Sequence, residues 1–173
     1  TLVAKSRMPQ PLWTMIHLVT LGVLSNGIFQ WSWFFARSLA RLSADDPRAR
    51  RHNTIRVLIF NAFFALLFVS MWLGWMVGTV IAATGIAAVA AWHGAEMLSV
   101  LRERLASRFV VVVRYYVCSA SFFVLAALLA SFVTVTMFSP SIPEAMVAMR
   151  DRLTLAHALS GVAGWVGLTI GGT

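Results

Sequence analysis

The sequence predicts an all-α protein, an integral membrane bundle of about five transmembrane helices forming one domain over residues 1–173. Three observations carry this prediction. Hydrophobic residues make up 60% of the chain and charged residues 12%, whereas soluble domains hold roughly 45–50% and about 25%. The charges fall in short clusters separated by long uncharged runs; a helix lying half in water would carry a charge every turn or two. The runs also match the ~20 residues that an α-helix needs to cross a hydrocarbon core of about 30 Å.

The first span covers residues 12–35, its start punctuated by Pro9 and Pro11. A loop from Arg37 to Arg56 follows, with six arginines set against Asp45 and Asp46. Pro47 interrupts it, and Leu39 and Leu42 extend the first helix beyond the apolar run. From Val57 to Leu101 the only ionisable side chains are His93 and Glu96. A single helix of that length would measure about 67 Å, twice the hydrocarbon thickness. Two spans, 57–76 and 79–101, with a turn marked by Gly74 and Gly78, fit better.

A second basic loop, residues 102–114, holds Arg102, Arg104, Arg108 and Arg114 with Glu103. The fourth span, 110–138, overlaps its end and stops at Ser139-Pro140-Ser141-Ile142-Pro143, a helix breaker. Glu144 to Arg152 form a short connection with room for a helical turn, and the fifth span is 153–173. The chain begins without an initiator methionine and stops without a charged cap, so a fragment of a longer membrane region is expected.

The partner implied first is the lipid bilayer, and the charge distribution sets the orientation. The loops 37–56 and 102–114 carry ten lysines and arginines, against Lys5, Arg7, Arg150 and Arg152 on the other side. The positive-inside rule puts those loops in the cytoplasm and the amino terminus outside a multi-pass plasma-membrane protein. The net charge of +8 does not make a nucleic-acid interface, because these residues sit in short loops rather than along a folded polar face. Cys118 lies in an apolar run and reads as a small buried hydrophobe; as the only cysteine it excludes an internal disulfide.

Function is sought first among the intramembrane ionisable groups, which are costly to keep there. His17 and His157 lie on two spans running in the same direction, each roughly 6–8 Å below the outer surface. Two imidazoles at one depth on parallel helices can clamp a b-type haem as axial ligands to its iron. Bis-histidine ligation leaves no open position and suits electron transfer. Gly22 and Gly27 follow His17, and Gly161, Gly164 and Gly167 follow His157. Small residues admit a macrocycle, and they equally admit a neighbouring helix. The competing reading is a pair of interfacial histidines reaching the headgroups.

His93 lies deeper, with Glu96 three residues on along the same helix face. This pair reads as a further haem ligand (His93), a proton relay or a quinone contact. In the bland alternative, Glu96 is salted by Arg102 or Arg104 and His93 bonds a backbone carbonyl. His52 reads as a solvated loop residue, and Tyr115, Tyr116, Trp13, Trp31, Trp33 and Trp165 as interfacial anchors. No copper-ligand set, nucleophile–base pair, phosphate loop or carboxylate pair is visible, so no catalytic residue is assigned within this chain.

A resemblance adds to this reading. His17-Leu-Val-Thr-Leu-Gly-Val-Leu-Ser-Asn with Trp31-Ser32 resembles the first helix of the amino-terminal membrane region of actinobacterial membrane-bound copper oxidases, which are multicopper-oxidase or copper-nitrite-reductase-like proteins. Arg108-Phe-Val-Val-Val-Val-Arg-Tyr-Tyr and Leu155-Ala-His-Ala-Leu-Ser-Gly-Val-Ala-Gly-Trp-Val-Gly-Leu-Thr-Ile-Gly-Gly-Thr are similar to later elements of the same region. More distantly, the helices resemble haem-copper membrane proteins. The resemblance implies an electron path from membrane quinol to an external copper domain, with His17 and His157 matching the motif histidines. The copper would sit in a partner or a missing domain, and further membrane subunits or carboxyl-terminal spans are implied. The chain would then be the membrane part of a respiratory oxidoreductase. A cofactor-free anchor or assembly subunit is the alternative.

Overall fold

The computed structural model describes residues 11–103, 110–139 and 143–173. Among these the chain is helical, without a strand, and five helices are long and apolar enough to cross a membrane. We number them α1 (Pro11–Leu39), α2 (Asn53–Leu73), α3 (Met76–Glu103), α4 (Val110–Phe138) and α5 (Glu144–Gly172). A wide π turn, Arg48–His52, leads into α2. Lys5, Arg7 and Pro9, the loop arginines Arg104 and Arg108, and Pro140-Ser141-Ile142 lie outside the described residues.

The outer surface is apolar: Leu12, Leu58, Leu73 and Ile170 are each about two-thirds exposed. Contiguous apolar surface on this scale is what a helix in lipid presents, and a soluble monomer would cover it. Cys118 belongs to this exposed surface rather than to the interior. The most enclosed helix is α3, whose buried face is built from Ala82, Ala83, Ile86, Ala87 and Ala90. Such small residues let neighbouring backbones approach, the usual basis of helix association in an apolar solvent. Gly85 is one close approach to α2, since a Cβ there would lie 2.4 Å from the Phe63 ring. Phe29, Phe60, Phe123 and Trp165 fill the centre around α3.

The α2–α3 turn is tighter than the sequence reading. α2 ends at Leu73, Gly74 takes a left-handed φ of +64°, and α3 starts at Met76. Gly78 is not part of this turn. It lies inside α3, where a Cβ would collide with Trp75 and Ser70. Gly74 carries the turn because a residue without Cβ enters the left-handed region at no cost. At the other end of the bundle, α1 stops at Leu39 and Arg41 has φ +51°, so Leu42 lies beyond the helix. The residues Glu144–Arg152 are not a separate connection. They are the first turns of α5, and Arg150 donates to the Thr136 carbonyl of α4.

Arg48 fastens the first basic loop to α3. Arg48 pairs with Asp46 at 2.7 Å and with Glu103 at 2.7 Å, and it donates to Ser99 at 3.2 Å. The hydrogen bonds from the Arg48 guanidinium and backbone N–H hold the Asp46 carboxyl below the usual carboxylate range. A depressed carboxylate stabilises the fold above its unfolded pKa of about 3.9, and that contribution is lost as pH falls through the lower folded value. A spin label at Ala44→Cys, in a Cys118→Ser background, is therefore expected to be restrained at neutral pH and to gain mobility on acidification below about pH 4. With Asp46→Asn added, the label is expected to be mobile already at neutral pH, and an unchanged spectrum would remove the clamp from the account.

Candidate functional site

An α-helix in an apolar slab satisfies its own backbone, so a departure from α geometry there needs side chains to compensate. Two such departures occur. α1 changes from α- to π-helix over Leu18–Ser25, directly after His17. α5 does so over Ser160–Gly167, three residues after His157. Single π-helical turns inside α-helices are rare and frequent at functional sites. In α1 the compensation is visible: Ser25 donates to the Thr20 carbonyl at 2.7 Å, and Asn26 donates to the Gly22 carbonyl at 2.9 Å while pairing with Asn61 of α2. The two widened segments meet where the Trp165 indole donates to Ser25 Oγ at 3.0 Å.

The structure brings His17 and His157 together. Their ring centroids are 6.1 Å apart and their planes differ by 8°. His17 Nδ1 lies 2.9 Å from the Trp13 carbonyl, and His157 Nδ1 lies 2.8 Å from the Ala126 carbonyl of α4. A carbonyl oxygen only accepts, so both Nδ1 atoms carry the hydrogen and, in neutral rings, both Nε2 atoms offer a lone pair. Among the described residues neither Nε2 has a hydrogen-bond partner. The Trp13 indole stacks on His17 at 4.3 Å and is itself backed by Phe68 at 5.4 Å, which fixes the ring. Trp13 therefore supports the site rather than acting only as an interfacial anchor.

His17 and His157 are the residues that would hold a cofactor iron at this site, each through Nε2. A carbonyl that accepts from Nδ1–H is the usual means of orienting a ligating histidine. Among the described residues no cluster of three or more His, Cys, Asp or Glu side chains could hold a bare ion.

The glycines divide between the two roles left open for them. A Cβ on Gly164 would lie 2.5 Å from Phe122 Cβ, so this glycine serves helix packing. Gly161 meets only Ala126 at 4.0 Å, Gly22 meets Phe64 at 3.2 Å, and Gly27 has open space. Gly167 faces only its own helix, so the three α5 glycines do not share one lining face.

A second polar cluster lies toward the basic-loop end. Glu96 Oε1 accepts from His52 Nδ1 at 2.7 Å and from Trp92 Nε1 at 3.0 Å, so neither Arg102 nor a solvated His52 describes this site. His93 contacts Ser32 Oγ at 3.0 Å and packs edge-on against Phe29 and Trp165; it does not bond a backbone carbonyl, and it is remote from the other histidine pair. Arg56, grouped with the loop charges by its place in the sequence, is fully buried in α2 with its guanidinium 5.1 Å from the Trp33 ring and 5.9 Å from the Trp92 ring. Trp33, Trp165 and Tyr116 are likewise buried rather than interfacial, whereas Trp31 and Tyr115 are exposed.

Gly164 gives a direct check on the geometry that sets α5 against α4. Gly164→Ala is expected to lower unfolding free energy by about 1–3 kcal/mol, because Phe122 Cβ is anchored to its backbone and cannot yield. Gly27→Ala, with nothing within reach, is expected to be neutral or stabilising by up to about 1 kcal/mol. Denaturation of both variants in detergent micelles reads the difference, and equal effects would show that the α4–α5 approach is looser than described. No family model, curated protein or solved structure matches this chain.

Proposed function

We propose that this chain is a membrane electron-transfer module that holds a b-type haem between His17 and His157. The observation that carries the reading is the near-parallel imidazole pair at 6.1 Å with both Nδ1 hydrogens given to carbonyls. A haem held by two histidines has no open position for substrate and supplies one-electron transfer. The chain's own residues do the rest. Trp13 and the Ala126 carbonyl orient the two rings, the widened segments set the spacing of α1 and α5, and the apolar exterior keeps water from the ligands. The motif resemblance supports quinol as the electron source and an external copper-containing acceptor, supplied by a partner or by a domain outside residues 1–173. The chain is then the membrane part of an oxidoreductase, not a catalyst alone, placed in the plasma membrane with its basic loops in the cytoplasm.

The packing of Gly164 against Phe122 and the bond from His157 to α4 favour a second reading, in which the chain is a cofactor-free anchor for a membrane complex. A reduced-minus-oxidised visible spectrum of the detergent-solubilised protein separates the two. The haem reading predicts a low-spin b-type spectrum that collapses in His17→Ala and in His157→Ala, while His93→Gln keeps it. A featureless wild-type spectrum, with its native partners present, would leave the anchor.

A further inference from the structure

The cluster at the basic-loop end has no part in the His17–His157 site, yet it gathers four ionisable side chains from three segments. His52 comes from the π turn, Arg56 from α2, and His93 and Glu96 from α3. Among the described residues, His93 Nδ1, Glu96 Oε2, and Arg56 Nε and Nη1 are buried without a hydrogen-bond partner. Unpartnered buried polar atoms are rare in native interiors and call for an explanation, and ionisable groups within spanning helices are functional candidates by default.

The hydrogen positions follow from the partners. Ser32 donates its hydroxyl hydrogen to the Ile28 carbonyl, so toward His93 its oxygen accepts. His93 Nε2 therefore carries a hydrogen, and in the neutral ring the unpartnered Nδ1 is a bare lone pair. Likewise His52 Nδ1 donates to the Glu96 carboxylate, whose other oxygen is bare. Glu96 stands three residues from His93 on one face of α3. The His52 side chain is about one-third exposed, at 36%, and Glu96 and His93 are buried behind it. Beyond His93 the way is closed by rings: Phe29 at 4.8 Å and Trp165 at 6.3 Å, backed by Phe60 and Phe123.

We propose that His52, Glu96 and His93 form a one-sided proton-loading path that opens at the basic-loop face and ends on His93 Nδ1. A proton from water binds His52 Nε2 as the Nδ1 proton passes to Glu96 Oε1. Rotation of the carboxyl group carries that proton to His93, and Glu96 returns to the carboxylate. One proton leaves the water and one is gained by His93. The groups facing this path among the described residues are Arg56 from α2, whose positive charge favours the Glu96 carboxylate and opposes a second positive charge on His93, and Ser32, Trp33 and Trp165 from α1 and α5, which carry no charge. Arg48, Asp46 and Glu103 form their own cluster at the loop and are paired with one another. The ring wall makes this a site loaded and emptied from one side, not a channel. It stands independently of haem binding at His17 and His157.

Nitrogen-15 solid-state NMR of histidine-labelled protein in liposomes tests the path. The His93 signal is assigned by its loss in His93→Gln, and its Nδ1 is titrated between about pH 4 and 9, the range spanning carboxyl and imidazole ionisation. The expected result is reversible proton gain at His93 Nδ1, with proton exchange to water slowed at least tenfold in His52→Gln and in Glu96→Gln and retained in Glu96→Asp. His17 is the internal control, and its exchange is expected to be unchanged in these variants. Unaltered His93 exchange in His52→Gln would overturn the proposal, as would a His93 Nδ1 that gains no proton across the range. Because His52 is partly exposed and lies at the helix start, His52→Gln decides the matter even where Glu96→Gln fails to fold.

Discussion

Inside an apolar slab the backbone has no water to fall back on, and every carbonyl that an α-helix releases must find another donor. Five helices of this chain are long and apolar enough to cross a membrane, and two of them depart from α geometry. The π-helical stretches at Leu18–Ser25 and Ser160–Gly167 change the hydrogen-bond register of α1 and α5, and hydroxyl and amide side chains take up the slack. Trp165 and Ser25 then join the two stretches across the bundle. Straight α-helices would turn successive residues by a fixed angle; a widened turn shifts that phase and re-aims whatever follows or precedes it. His17 and His157 sit at the edges of these stretches, and their parallel rings depend on the phase being held.

The same economy explains the contrast between the two polar sites. In the His17–His157 pair each Nδ1 is satisfied by a backbone carbonyl, and both side chains are only partly buried. The cluster of Arg56, Glu96, His93 and His52 keeps formal charges in the interior and leaves several of their atoms unpartnered. Part of the cost is offset by the indoles of Trp33 and Trp92 against the guanidinium. A bundle requiring only adhesion would gain more from apolar residues at these positions. A ladder of rings, from Trp13 through Phe68, Phe64 and Phe60 to Phe29, runs between the two sites.

Much of this was legible from hydropathy and charge. The five apolar runs follow from hydropathy, and the shared depth of His17 and His157 from span direction and helix rise; that α1 and α5 lie side by side does not. The residues that were misjudged share a physical reason. Arg56 looks like a loop charge because sequence shows its neighbours and not the indoles that cover it. His52 looks solvated because its partner Glu96 is forty-four residues away. Trp33 and Trp165 look interfacial because their position along the helix is near an end, while their direction around it decides burial. Glu144–Arg152 look like a connection because their charges mask a helix that simply continues beyond the apolar stretch. The π segments have no composition of their own, since they arise from packing rather than propensity.

The central proposal is that His17 and His157, whose rings are nearly parallel, hold a haem iron between them. Low-temperature electron paramagnetic resonance of the oxidised protein, purified from its own membranes, tests it most directly. The ring planes differ by 8°, so the account predicts a rhombic low-spin ferric signal of the kind given by two imidazoles with near-parallel planes. A high-spin signal, a low-spin signal characteristic of crossed planes, or the absence of haem iron would contradict it.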